Sequence, residues 1–185
     1  MLIKVITTNS GKFREISHFF INTKLKFKME PVPLLEIQAN TLEEVVAEKL
    51  ASVPEETGNC IVDDSGLFVD ALSGFPGVYS SYVYRTIGVH GLCKLLEGVS
   101  ERKARFECVV GLRISGKKHF FKGVCGGRII EVPKGSGGFG FDPIFMPDGY
   151  QETFAQLPTE NKNLISHRGR ALQQLREFFQ TQGIL

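Results

Sequence analysis

Ile61-Val62-Asp63-Asp64-Ser65-Gly66-Leu67-Phe68-Val69-Asp70-Ala71-Leu72 reads as a β-strand, apolar and β-branched at its start, with two adjacent carboxylates inside it. Strand side chains alternate between faces, so Asp63 and Asp64 cannot both point at the core or both at solvent. Near a strand end one of them reaches a cleft. A carboxylate there can hold a hard cation or take a proton from an attacking water. The alternative is an Asp-Ser-Gly turn whose side chains bond only local backbone amides.

Upstream, Leu2 to Thr7 is a second β-branched run. It leads through Thr7-Thr8-Asn9-Ser10-Gly11-Lys12 into Phe13, Ile16, Phe19 and Phe20 at helical spacing. Thr41-Leu42-Glu43-Glu44 has the form of a capping box, predicting a helix through Val45, Val46 and Lys49 to about Ala51, with Pro54 beyond it. Downstream, Gly74-Phe75-Pro76-Gly77 is a turn, and Tyr79 to Leu96 is a helix broken near Gly88 and Gly91. Arg105 to Ile114 and His119 to Val132 form a hairpin joined at Ser115-Gly116-Lys117-Lys118, whose exposed lengths are expected to build a second lobe. A Gly-rich loop covers Lys134 to Asp142. The last helix buries Ala171, Leu172, Leu175, Phe178 and Phe179 along one face.

A chain of 185 residues supports one sizeable core, so residues 1–185 are read as one domain with two lobes. The net charge of +2 argues against a polyanion-binding surface and suits a small anionic ligand better. No apolar run approaches the roughly 20 residues needed to span a bilayer, and Met1 to Ile6 lacks a signal-peptide pattern. We therefore expect a cytoplasmic protein without a membrane partner. Cys60, Cys93, Cys108 and Cys125 form no CxxC pair, which argues against zinc and predicts reduced, largely buried thiols.

Three further segments carry chemistry. The loop from Thr7 to Lys12 gathers hydroxyls, backbone amides, a helix N-terminus and an ammonium, a combination suited to phosphate. It lacks the P-loop spacing, and an ordinary loop capped by Asn9 or Ser10 is the alternative. Gly135-Ser136-Gly137-Gly138-Phe139-Gly140-Phe141-Asp142-Pro143 combines rings with a carboxylate, as a base-binding slot requires, although a hairpin turn with Phe139 and Phe141 tucked into the core suits this segment, taken alone, slightly better. Ser166-His167-Arg168-Gly169, with Lys162 a turn earlier, collects donors that match a purine 6-oxo group; a solvated basic helix end is the other reading.

Taken together, TTNSGK at 7–12, DDSG at 63–66, GFPGVYSS at 74–81, GGFGFDPIF at 137–145 and SHRG at 166–169 resemble the inosine and xanthosine triphosphate pyrophosphatases, which clear non-standard purine nucleotides. The Glu-Ile-Gln at 36–38 is of the archaeal type. The resemblance implies an α/β fold, an elongated twisted mixed β-sheet flanked by helices, with two lobes around a central substrate cleft and a homodimer as the assembly. It also implies cleavage between the α and β phosphates with magnesium (Mg2+) as cofactor. By matching position, Thr7, Thr8, Asn9, Ser10, Gly11 and Lys12 would hold the triphosphate. Asp64 would bind metal and act as general base, Glu36 would share the metal, Lys49 would face the phosphates, and Ser65 would touch substrate. Phe139, Gly140, Phe141, Asp142, Lys162, His167 and Arg168 would surround the base. Phe141 departs from the family pattern, where a ring with a polar tip is common.

The chemistry that this resemblance implies needs charge neutralisation and an aligned water, and no Ser, His, Asp triad is visible. The rival within the same architecture is a pyrophosphatase for other modified nucleotides. The rival from another class is a single-strand nucleic-acid-binding protein that stacks bases on the Gly and Phe loop, against which the near-neutral charge argues.

Overall fold

The computed structural model describes every residue from Met1 to Leu185. In chain order the elements are β1 (Leu2–Ile6), α1 (Ser10–Phe19), β2 (Lys26–Glu30), α2 (Leu42–Ser52), β3 (Cys60–Val69), β4 (Pro76–Gly77), α3 (Ser80–Thr86), α4 (Gly88–Leu95), β5 (Lys103–Ile114), β6 (Lys117–Ile129), β7 (Phe145–Pro147), α5 (Thr159–Ile165) and α6 (His167–Thr181). The strands form one open mixed sheet in the order β2-β1-β3-β5-β6-β7, with β4 added along β3. β1 is parallel to β2 and β3, and the remainder of the sheet is antiparallel. Helices α1 and α2 supply the crossovers that parallel neighbours require.

Side-chain alternation assigns the helices to faces. Ile61 packs with Ile3, Val5, Cys108 and Val110 against α1 and α6, whereas Cys60 and Val62 pack against Leu42, Val46 and Leu50 of α2. One face of β3 therefore carries α1 and α6 and the opposite face carries α2. Further along the α1–α6 face, Leu67 and Val69 join Ala104, Phe106, Leu92 and Phe145 in a separate apolar cluster. Between the two clusters the residues of β3 on that face are Asp63 and Ser65. A polar band thus interrupts an otherwise apolar stripe in the middle of the sheet.

The local signals act as expected at most element ends. Thr41 Oγ1 accepts from the Glu44 amide and the Glu44 carboxylate accepts from the Thr41 amide, a reciprocal cap that fixes the start of α2. The helix after Tyr79 breaks at Gly88, whose φ of 65° leaves the helical region, so α3 and α4 are separate. The strand expected to run to Leu72 ends at Val69, because the Gly74 amide bonds back to the Val69 carbonyl and closes a tight turn over 70–72.

The hairpin differs from expectation in its reach. Ser115 and Gly116 alone make the turn, both with positive φ, the geometry that two-residue hairpin loops need. β6 is exposed at Lys117, Lys118, Phe120 and Lys122, whereas β5 is buried from Phe106 to Ile114 and lies at the centre of the sheet. The reason is that β5 is covered on both faces, by α2 and by α6, and contributes to every apolar cluster. Gly123 of β6 lets α6 approach closely: a Cβ there would fall 2.0 Å from the His167 carbonyl oxygen. All the cysteines are free, and Cys60, Cys108 and Cys125 are buried. No helix is long and apolar enough to cross a membrane.

Candidate active site

A cavity of about 800 Å³ opens beside the centre of β3, bounded by the loop after β1, the segment 32–36, α2, α3 and the Gly and Phe loop. Asp64 shares the parity of Val62 and so points to the α2 face, where Lys49 Nζ lies 3.2 Å from its Oδ1. The same ammonium donates to Glu36 Oε1 at 2.7 Å. Lysine 49 is buried in the middle of α2, and burial would lower its pKa. The carboxylates of Asp64 and Glu36 outweigh burial and raise it, so the ammonium stays charged. Burial would likewise raise Glu36, but Lys49, then Lys12 and Arg85, hold its carboxyl below the ordinary value.

Asp63 has the parity of Ile61 and points the other way, toward α6. Its Oδ2 accepts from Nε and the second terminal nitrogen of Arg168, both at 3.1 Å. Lys12, at the start of α1, reaches across the strand to Asp63 Oδ2 at 3.3 Å and Asp64 Oδ1 at 3.6 Å. Both carboxylates are buried, since both faces of β3 are covered; neither meets bulk solvent as an amphipathic strand would allow. Despite burial, the Asp63 carboxyl is held below its ordinary pKa by Lys12, Arg168 and Lys49.

The loop after β1 is already internally bonded. Asn9 Oδ1 accepts from the amides of Gly11 and Lys12, and Thr7 Oγ1 accepts from the Asn9 amide. Asn9 is thus the cap of α1, and the amides of Thr8 and Ser10 remain free for a ligand. Thr7, Thr8, Asn9, Ser10 and Lys12 line the cavity. Gly11 does not. It stands behind the Phe139 ring, where a Cβ would come within 2.7 Å of Phe139 Cδ1.

At the other end of the cavity lie Phe139, Gly140, Phe141, Asp142, Lys162 and His167. The local alternative of core rings proves half right: Phe141 is buried in the apolar cluster with its ring edge-on to Tyr84, whereas Phe139 is only partly buried and faces the cavity. Asp142 Oδ2 accepts from the Phe139 amide at 2.8 Å and from Lys162 Nζ at 2.7 Å. Lys162 also donates to Glu15 Oε1 at 2.7 Å and sits 4.9 Å from the Phe139 ring centroid. An ammonium has three N–H groups, so one remains for a ligand. Burial would lower Lys162, but Asp142 and Glu15 raise it, and it remains a cation. Burial lifts the Asp142 carboxyl above its ordinary value in spite of Lys162. His167 stacks on Phe106 at 4.6 Å, and its buried Nδ1 has no partner. Burial, reinforced by the charges of Arg168, Lys162 and Lys12, pushes its pKa well down, so the imidazole is neutral.

Arg168 is fully buried and lies behind the wall. It bridges Glu15, Asp63 and Ser65, donating to Ser65 Oγ at 2.6 Å. Glu15, which does not line the cavity but pairs with both Lys162 and Arg168, is a supporting residue that the sequence reading missed. Burial would raise its carboxyl, but Arg168 and Lys162 hold it below the ordinary range. Nothing local marks it, because both partners lie at the far end of the chain. Ser80, Tyr84 and Arg85 of α3 also line the cavity and were not singled out, although GFPGVYSS was. Ser80 Oγ accepts from the Leu67 amide at 2.8 Å and donates to the Gly77 carbonyl, which seats α3 against β3.

No group of three or more His, Cys, Asp or Glu side chains is placed to hold a metal. Glu36 and Asp64, bridged by one ammonium, nevertheless offer two hard oxygen donors on the wall of the cavity. That set fits a hard divalent cation that takes one or two carboxylates and completes its shell with water and substrate phosphates.

A family model described as Ham1 family matches residues 3–178. The chain belongs to the Ham1 family. Among its Ham1 relatives is a dITP/XTP pyrophosphatase of Thermococcus kodakarensis, 50% identical over 94% of this chain and 95% of the relative. A HAM1 protein of Coxiella burnetii superposes with a TM-score of 0.84 at 31% identity, covering 98% of this chain and 99% of that one. A dITP/XTP pyrophosphatase from Mycobacterium abscessus gives a TM-score of 0.70 at 32% identity, covering 95% and 98%. The mixed open sheet described above is therefore a Ham1 fold, and the segments around residues 7–12, 63–66 and 166–169 fall at its centre.

Proposed function

We propose that this Ham1 chain hydrolyses the non-standard purine nucleoside triphosphates ITP, dITP and XTP to the monophosphate and pyrophosphate. One observation carries the reading. A single cavity joins a cluster of carboxylates and ammonium groups at Glu36, Lys49 and Asp64 to a ring, ammonium and imidazole at Phe139, Lys162 and His167. The first end suits a triphosphate and the second a purine, and the relatives' names give dITP and XTP, purine triphosphates, as their substrates.

In this reading Thr7, Thr8, Asn9, Ser10 and Lys12 hold the triphosphate through the free amides of Thr8 and Ser10 and the Lys12 ammonium, with Gly11 behind them against Phe139. Glu36 and Asp64 would hold magnesium, which would neutralise phosphate charge and order the reacting groups. Asp64 accepts a proton from water as its oxygen attacks the α phosphorus. The bond from that phosphorus to the bridging oxygen breaks, and its electron pair leaves with pyrophosphate. Lys12 and Lys49 offset the charge that develops there. Phe139 stacks on the base, the remaining N–H of Lys162 donates to the 6-oxo group, and neutral His167 offers a further polar edge. Arg168 acts from behind the wall by holding Ser65 and Asp63 in place. The whole chain, 1–185, works as one two-lobed unit in the cytoplasm, as a homodimer, its lobes built on the apolar clusters either side of Asp63 and Ser65.

The test is pyrophosphate release from ITP, XTP, GTP and ATP with and without magnesium. Release from ITP and XTP at least about tenfold faster than from ATP is expected, since leaving one buried donor unmatched costs roughly 1 to 3 kcal/mol. Equal rates on all four, or none on any, would overturn the proposal.

A further inference from the structure

The cations on the cavity wall are not equivalent. Lys12 is shared between Asp63 and Asp64, Lys49 between Glu36 and Asp64, and Lys162 between Glu15 and Asp142. Lys12 and Lys49 are thus each committed to two carboxylates, and Lys162 keeps a single free N–H. Arg85, in the last turn of α3, also lines the cavity, yet it makes no hydrogen bond or ion pair within the chain. Its guanidinium is always charged and presents a planar fork of donors that matches phosphate oxygens. Its helix is not free to drift, because Ser80 ties the first turn of α3 to β3 and Tyr84 packs edge-on against Phe141.

The position along the cavity follows from its neighbours. Arg85 lines the same cavity as Glu36, Lys49 and Lys12, and the anionic part of the substrate that a guanidinium there can meet is its triphosphate. From this placement we infer that Arg85 binds the β and γ phosphates of the substrate, the part that departs as pyrophosphate. It is then the wall's uncommitted cation, adding attraction for a polyphosphate without first breaking a pair. The inference rests on the pyrophosphatase reading and deepens it by naming the residue that distinguishes the triphosphate from its monophosphate product.

The test compares Arg85→Ala and Arg85→Lys with the unaltered protein. The measurements are KM for ITP and inhibition constants for inorganic pyrophosphate and for IMP, all with magnesium present. Because Arg85 is exposed, thermal melting should be unchanged in both variants. Arg85→Ala should raise KM for ITP and weaken pyrophosphate inhibition by about tenfold each, with IMP inhibition altered less than about twofold; Arg85→Lys should recover part of the loss. A KM and a pyrophosphate inhibition constant both within about twofold of the unaltered protein would overturn the assignment to phosphate, as would equal weakening of IMP and pyrophosphate. Either result would leave the reaction standing if the unaltered protein cleaves ITP. Failure of the unaltered protein to cleave any triphosphate would instead remove the reading and the inference together.

Discussion

Asp64→Asn should abolish turnover while leaving the melting temperature nearly unchanged, whereas its neighbour Asp63→Asn should melt early and lose less rate. The difference follows from what each carboxylate leaves behind. Asp64 is 3.2 Å from Lys49 and 3.6 Å from Lys12, but Lys49 keeps Glu36 at 2.7 Å and Lys12 keeps Asp63 at 3.3 Å. No cation is orphaned, and the cost is about 1 kcal/mol, that of an ordinary hydrogen bond. A general base contributes about 100-fold or more, and the amide can neither take the proton nor bring a negative charge to a cation. Asp63 instead accepts two N–H groups of Arg168, which has no exposed surface at all. Arg168 keeps Glu15 and Ser65 as partners, so the loss is that of charge-assisted hydrogen bonds in a fully buried place, about 1.5 to 3 kcal/mol. At about 2 to 4 °C per kcal/mol for a chain of this size, Asp63→Asn should melt roughly 6 °C lower. Circular dichroism melts and pyrophosphate release from ITP, measured on both variants, decide the matter. If Asp64→Asn keeps more than about a tenth of the rate, Asp64 is not the general base. If Asp63→Asn melts within about 2 °C of the unaltered protein, the buried pair is not the restraint argued here.

The pKa pattern sets the acid limit of the fold. Glu15 and Asp63 are both held below their ordinary values, so they add stability above the unfolded carboxylate range near about pH 4 and lose it as pH falls through their lowered folded values. Glu15→Gln should melt lower at pH 7 but depend less steeply on pH in acid; melting curves from pH 7 to about pH 2 that run parallel for both proteins would contradict this. Gly138→Ala should damage the base end alone. Gly138 has φ of 69°, and a Cβ there would lie 2.0 Å from Asp142 Oδ2, the oxygen that holds Lys162. KM for ITP should rise about tenfold, with inhibition by pyrophosphate unchanged; unchanged KM would show that the Asp142 and Lys162 pair does not position the base.

The fold was legible where local physics acts alone. The reciprocal cap at Thr41 and Glu44, the break at Gly88 and the apolar stripe of α6 depend on residues a few positions apart, and each stands where the sequence places it. The hairpin was found, but its place at the centre of the sheet was not, since nothing within 103–129 says what will cover it. The candidate site was legible as motifs and illegible as a network. Asp64, Lys49 and Glu36, picked out by the family pattern, meet through the Lys49 ammonium. Arg168 looked like a donor for the base because its residue type is visible and its burial is not. Its withdrawal behind Asp63 and Ser65 depends on Glu15, a carboxylate on α1 that resembles any surface Glu in a helix until α5 and α6 are folded over it.

The placement of the polar band explains why these charges are affordable and why the net charge is so small. On one face of β3, Asp63 and Ser65 stand between two apolar clusters; on the other, Asp64 follows Cys60 and Val62. A carboxylate in such surroundings would cost several kcal/mol without a counter-charge. Each is therefore matched from another element: Lys12 from α1, Lys49 from α2, and Arg168 from α6. The cations and carboxylates of the site are one another's counter-ions while no ligand is present, so the cavity adds little to the net charge of +2. An anionic ligand consequently enters a site whose lysines are already held in place by carboxylates, on a strand held rigid by neighbours on both edges. Orientation is then settled before binding, which is the condition under which positioned charge is most effective in phosphoryl transfer.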